Sequence, residues 1–442
     1  MLRILKWLFL VVLLLVVIAL VGLPLLANTE RGRKELAGVL GDALGRKVEI
    51  SGLSVGLFWS SVKVQGFSLA NPPGYPEGSL LLAHELGLDI GLRTILKGKI
   101  EGSVKGTGFD IRILQKGDGS NMDGLAKKQA ERTDEGGGPD LHITVAIDNS
   151  ALSIENLDTG EKLALQGVSL DLVLSNRDRQ QDAAVKIKVG SIDRGAIRLR
   201  DLDIDAVKAG DRLALRSLTA KLAGAGTVAG KGSLETGGGN AWSIEFDATA
   251  VRIDQEIMPV VASMFPPAAS AGGQFAGILE GKFKLEGKGL AWEAAKPTLK
   301  GGGDLRLKEM ALPDTSLLAQ LAELAGRSKG GFSLNDAGAT FTLGDGWLSF
   351  SRLSASGDGI RHDFEGRVSL DGRLELTMDL SPLAKRYGGG SYAKIAQTVK
   401  KIPVRIGGST ASPRLEPPKL EDLAKSIDPG SLVDKLKEKL GR

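Results

Sequence analysis

The feature that most limits what this chain can fold into is an alternation of period two that starts at Val48 and runs, with breaks, to Leu380. Val48 and Ile50, Leu53 and Val55, Val62 and Val64, and Phe67 and Leu69 alternate with polar or small residues, and the pattern breaks at Gly52, Ser60-Ser61 and Gly66. After the turn Asn71-Pro72-Pro73-Gly74 it resumes in Leu86, Leu88, Ile90 and Leu92, then in Phe109, Ile111 and Ile113. Beyond residue 140 come Ile143, Val145 and Ile147, then Leu170, Leu172 and Leu174, then Val185, Ile187 and Val189. Successive side chains of a strand point to opposite faces, so each segment reads as a strand with one apolar face, closed by a Gly, Asn or Pro turn. The expectation is a long antiparallel meander, without a sequence repeat of fixed period.

Composition agrees with many strands and tight turns. Glycine accounts for 60 of 442 residues, about twice the usual ~7%, whereas aromatic residues are 5%. The net charge is +4 and its signs are interspersed, which gives no basis for nucleic-acid binding. The chain has no cysteine. That excludes disulfides, thiol catalysis and thiolate metal sites, and it suits a compartment where stray thiols oxidise. The body is therefore expected outside the cytoplasm, which for a bacterial chain means the periplasm.

Leu8 to Ala27 carry no charge and lie between Arg3 and Lys6 on one side and Glu30, Arg31, Arg33 and Lys34 on the other. About 20 apolar residues span the ~30 Å hydrocarbon core of a bilayer. The run exceeds the ~7–15 apolar residues of a secretory signal, and Leu25-Leu26-Ala27 lacks a small-x-small cleavage site, so a retained anchor is expected. Next, Leu36, Val39, Leu40, Ala43 and Leu44 share one helical face that ends near Gly45. Ile257 to Met264 and Leu317 to Leu324 predict two short helices, and Leu432, Val433, Leu436 and Leu440 predict an amphipathic tail.

So many one-faced strands, with few aromatics and few helices, leave apolar faces short of cover. One solution is a sheet curled lengthwise into a trough lined by aliphatic side chains. Acyl chains suit such a trough, because aliphatic contact needs no directional bonds and each buried CH₂ contributes about 0.8 kcal/mol. An ordinary closed sandwich or barrel gives the same pattern. Catalytic chemistry finds little support. His84, His142 and His362 are scattered and read as surface or strand-end residues. Gly224 to Ala229 fits the dinucleotide fingerprint literally, but a strand follows where a helix is needed. Asp118 to Gly124 lacks the ligand spacing of a calcium loop. No catalytic residue, metal or cofactor is assigned.

Several stretches carry a family resemblance: Gly45-Arg46-Lys47-Val48-Glu49-Ile50, Val64 to Asn71-Pro72, Leu92 to Gly102, Asp118-Gly119-Ser120-Asn121, Ala339 to Leu353, and Ile402 to Pro413. With the anchor and short helix, these resemble the AsmA-like family of bacterial envelope proteins, single-span inner-membrane proteins with a large periplasmic body. The match covers roughly the first 125 and last 110 residues. The resemblance implies a mainly β fold: an elongated, curled antiparallel β-sheet, groove-like and akin to chorein-type bridge-like lipid-transfer proteins, with a few short helices and one N-terminal transmembrane helix. It implies a role in phospholipid transport or outer-membrane assembly, with membrane phospholipids, the inner membrane and other envelope proteins as partners. The organisation expected is an anchor over 1–29, a first AsmA-like part over 30–126, a charged and glycine-rich loop over 127–139, a meander over 140–330, a second AsmA-like region over 331–416, and a C-terminal amphipathic helix over 417–442.

Two functions remain from different classes: a lipid-binding or lipid-transfer protein, and a scaffold of the envelope whose β-body is solid. Parity gives the candidate lining as Val62, Val64, Leu88, Ile90, Ile143, Val145, Leu170, Leu172, Ile187 and Val189. A trough requires that no charge interrupt its inward rows, and one bulge would turn a strand over.

Overall fold

The computed structural model describes residues 29–56, 61–91, 99–125, 140–177, 180–194, 197–222, 226–236, 238–253, 276–311, 321, 323–324, 335–357, 359–387, 392, 394–397, 399–410, 412–418 and 423. Strand predominates among them. The chain divides into two compact units, residues 1–223 and 224–442. The expected span Leu8 to Ala27, the expected helix Ile257 to Met264 and the loop 127–139 lie outside the described residues, as does the tail beyond 418 except Leu423. Among the described residues no helix is long and apolar enough to cross a membrane.

The first unit opens with α1 (Glu30–Leu44), which Thr29 caps by accepting a hydrogen bond from the Gly32 amide at 3.2 Å. Gly45 ends it at φ 62°, a left-handed conformation open to glycine without a Cβ penalty. The buried stripe of α1 is the i, i+4, i+8 ridge of Leu36, Leu40 and Leu44. Val39 and Ala43, expected on the same face, are exposed, because the helix docks on that narrower ridge.

Strands β1 (Val48–Val55), β2 (Ser61–Ala70), β3 (Ser79–Ile90) and β4 (Lys99–Lys116) pair antiparallel in sequence order. After the two-residue β5 (Gly119–Ser120) the order of the meander breaks: β6 (Asp140–Asn156) pairs with β4 in parallel, from Lys99 with Asp140 to Gln115 with Asn156. An uninterrupted antiparallel meander was expected. Residues 117–139 are long enough to return the chain along the whole of β4, which is what a parallel pair requires. Antiparallel order resumes through β7 (Lys162–Arg177), β8 (Gln180–Arg194), β9 (Ile197–Ala209) and β10 (Arg212–Leu222).

A crease crosses this sheet. The non-terminal strand positions with left-handed φ in the first unit are Gly66 (58°), Gly108 (65°), Asn149 (48°), Gly167 (62°) and Asp201 (50°). Registers put Gly66 opposite His84, His84 opposite Gly108, and Gly108 beside Asn149. Gly167 and Asp201 both face Gly190. Each strand therefore carries its irregularity at nearly the same level, with a step only between β6 and β7. The extra residue resets parity. Val64 and Phe67, three apart, are buried in one apolar cluster, as are Ala83 and Leu86.

The second unit is an antiparallel meander from β11 (Thr227–Glu235) through β12 (Ala241–Ile253), β13 (Ala276–Lys288), β14 (Lys300–Ala311), β15 (Asp336–Gly344), β16 (Trp347–Gly357), β17 (Ile360–Ser369), β18 (Leu374–Asp379) and β19 (Pro403–Gly408) to β20 (Pro413–Glu416). A one-turn helix, α2 (Trp292–Ala295), interrupts it between β13 and β14, and α3 (Ser381–Tyr387) follows β18. Leu380, Leu383, Ala384, Ala396 and Ile402 cover β18 and β19 and join Leu321 in one core. The glycines of β13 and β14 have a packing reason. A Cβ on Gly303 would lie 2.6 Å from the Phe283 Cβ, and one on Gly281 would lie 2.7 Å from Leu305 Cδ2.

Candidate functional site

Residues paired across a ladder point to the same face, so the registers can be followed as rows from strand to strand. In the first unit one row runs Leu53, Val64, Leu86, Gly106, Ile147, Leu170, Ile187, Ile204 and Leu218. The next runs Val55, Val62, Leu88, Val104, Val145, Leu172, Val185, Ala206 and Leu215. Beyond the crease, a third runs Ile50, Phe67, Ala83, Phe109, Ser150, Val168, Val189 and Leu202, with the Phe109 amide donating to Ser150 Oγ at 3.2 Å. The fourth runs Val48, Leu69, Leu81, Ile111, Leu152, Leu165, Ile192, Leu199 and Leu222.

No charged residue interrupts these four rows. The first charges appear in the marginal rows, at Lys208 opposite Ala183 and Arg194 opposite Leu163. The opposite face is charged. Lys186 stands across from Asp205 and Lys188 from Asp203, and Lys63 meets Glu85 at 2.8 Å. Hydrogen bonding to Lys63 holds the Glu85 carboxyl below its ordinary range. Such exposed pairs contribute little stability each, but they mark this face as the wet one.

The registers put all ten sequence-derived lining residues on the apolar face. Val62, Leu88, Val145 and Leu172 share one row, and Val64, Leu170 and Ile187 share another. Val189 lies across the crease, and Ile90 and Ile143 lie in the margin, both opposite Gly102. Val64, Val145, Leu170 and Val189 are buried, and the other six are half-buried. Apart from Val189, parity reasoning missed the two rows beyond the crease. Their signal was the odd spacing of apolar residues, three positions from Val64 to Phe67 across Gly66 and five from Val104 to Phe109 across Gly108.

It also missed the second unit, where one row crosses every strand: Gly230, Phe246, Phe283, Gly303, Phe341, Phe350, Gly366, Leu376, Ile406 and Leu415. The Phe246 and Phe283 rings lie 5.4 Å apart. Chemistry-bearing groups are sparse on these faces. His84 and His142 are exposed, but His362 is buried at 5% exposure opposite Ala355, contrary to its reading as a surface or strand-end residue. Among the described residues no three His, Asp or Glu side chains are grouped to hold a metal. Gly226 leads directly into β11, so Thr227 to Ala229 of this glycine-rich stretch open a strand.

No family model and no curated protein matches this chain. The site therefore rests on its own geometry. At the helix α1 end the face is filled: Leu36, Leu40 and Leu44 pack with Phe67, Phe109 and Met122. Cover thins beyond β6, where Leu172, Ile187, Leu202 and Ile204 are only half-buried.

Three of the sequence motifs meet at the filled end. Asn121 is fully buried, accepts from the Leu114 amide at 2.9 Å, and donates to Asn71 Oδ1 and the Arg112 carbonyl, both at 2.8 Å. Arg46 donates to the carbonyls of Asn121 at 2.9 Å and Asp123 at 2.6 Å. Burial lowers the Arg46 pKa, with Asp123 and Tyr75 acting against it.

Proposed function

We propose that this protein is a lipid-binding or lipid-transfer protein of the bacterial cell envelope, held in the inner membrane by Leu8 to Ala27 with its body in the periplasm. Each unit curls its sheet about the apolar face, and that face holds the acyl chains of phospholipids on their way to the outer membrane. One observation carries the reading: four mainly aliphatic rows cross the first unit without a charge, while the reverse face carries lysine and carboxylate pairs. A folded sheet gains nothing from so wide a half-covered aliphatic face unless something apolar lies on it. Ten methylenes of an acyl chain placed there contribute on the order of 8 kcal/mol. The resemblance of the strand-and-turn motifs to the AsmA-like family points the same way.

The test is lipid extraction and mass spectrometry on the full chain purified in mild detergent. Phospholipid should co-purify in amounts comparable to the protein, and the double variant Leu172→Asp, Ile187→Asp should lose most of it while still folding. Phospholipid no higher than in a detergent-only control leaves the scaffold reading.

A further inference from the structure

Helix α1, the start of β1 and the turn from Asn71 to Gly78 border a cavity of about 1380 Å³ that is widely open to solvent. It is open because the helix presents small residues to it. A side chain at Gly38 would meet nothing within 4 Å, so this glycine serves no close packing. Yet glycine inside a helix costs about 1 kcal/mol relative to alanine. The cavity wall also carries Arg33 and Arg46, both half-buried. The hydrogen bonds that hold them run to backbone carbonyls, Arg33 to Ser51 and Arg46 to Asn121 and Asp123. A guanidinium so placed is fixed in position, and among the described residues neither arginine forms an ion pair within 4 Å of a carboxylate, although Asp123 acts on Arg46 from farther off; this suits a phosphate.

Two further facts limit the occupant. Thr29, the cap of α1, follows Ala27 by two residues, so Arg33 lies within about 20 Å of chain from the uncharged run. Val48 and Ile50, which begin two of the aliphatic rows, stand in the same wall. Asp42, Glu49 and Glu77 line it as well, beside Lys34 and Lys47; Glu49 meets Lys47 at 2.7 Å, and Asp42 and Glu77 favour a headgroup that carries an ammonium beside its phosphate.

Resting on the lipid-binding reading, we propose that this cavity takes the zwitterionic headgroup of a phospholipid from the membrane holding the N-terminal run. Arg33 and Arg46 face its phosphate, and the acyl chains lead toward Val48 and Ile50.

Gly38→Leu tests this without endangering the fold, since it projects a side chain from the cavity wall where a Cβ would meet nothing within 4 Å, and it favours the helix. The full chain in detergent is mixed with phosphatidylethanolamine vesicles, and captured lipid is counted by mass spectrometry, with and without inorganic phosphate. Gly38→Leu and Arg33→Gln should each lower capture about tenfold with no fall in melting temperature for Gly38→Leu, and Gly38→Ala should capture as the parent does. Inorganic phosphate should not compete. Undiminished capture by Gly38→Leu, or displacement by inorganic phosphate, overturns the headgroup site while leaving the lipid-binding face standing. No capture by the parent chain overturns both.

Discussion

At the scale of single residues the most consequential group is the Asn121 carboxamide. Its oxygen accepts from the Leu114 amide, its nitrogen ties Asn71 to the Arg112 carbonyl, and Asn121 itself is fully buried. Asn121→Ala leaves a buried amide donor and two acceptors unmatched, each costing about 1–3 kcal/mol. The variant should lose about 2–4 kcal/mol of stability in urea unfolding followed by circular dichroism. The outer face supplies a pH test. Hydrogen bonding to Lys231 holds the Glu245 carboxyl below its ordinary pKa. A depressed carboxyl contributes stability above the unfolded pKa and loses it as pH falls through the lower folded value. Glu245→Gln should therefore remove part of the change in melting temperature below about pH 4.5 and leave neutral pH nearly unchanged. The spacing of Asp118, Gly119 and Asn121 was visible in the sequence, but its use was not. Which buried polar group a turn asparagine reaches depends on a partner fifty positions away.

At the scale of elements, the crease decides which residues share a face. Gly167 is its cleanest probe, because a Cβ there would meet only Gly190 at 3.5 Å, an ordinary contact, and what remains is the cost of φ 62°. Asparagine tolerates that conformation and a β-branched residue does not. Gly167→Asn should unfold at nearly the parental urea midpoint, and Gly167→Val should be about 1–2 kcal/mol less stable. At Gly66 even alanine should be harmful, since its Cβ would approach Ser51 Oγ to 2.4 Å. Alternation made the strands readable one by one, because every half-buried strand must keep an apolar side. It did not reveal that β4 and β6 run parallel, since a period of two has no direction. Nor did it carry across Gly66 and Gly108, where one added residue turns the pattern over. On α1 the sequence offered five apolar residues and the docking ridge used three.

At the scale of the whole molecule, an apolar N-terminal run precedes two β-units whose apolar faces are built by register. In the first unit the central rows hold aliphatic, aromatic or small residues from β1 to β10, whereas the reverse face pairs Lys186 with Asp205 and Lys188 with Asp203. The neighbours Ile187 and Lys188 thus face opposite ways on one strand, and this contrast tests the central claim most directly. A photo-activated crosslinking residue is placed at Ile187 or at Lys188 in the full chain, which is irradiated in native membranes. The products are then analysed by mass spectrometry for attached phospholipid. Position 187 should give acyl-chain adducts at several times the yield from position 188. Equal yields, or adducts from position 188 alone, would contradict the claim.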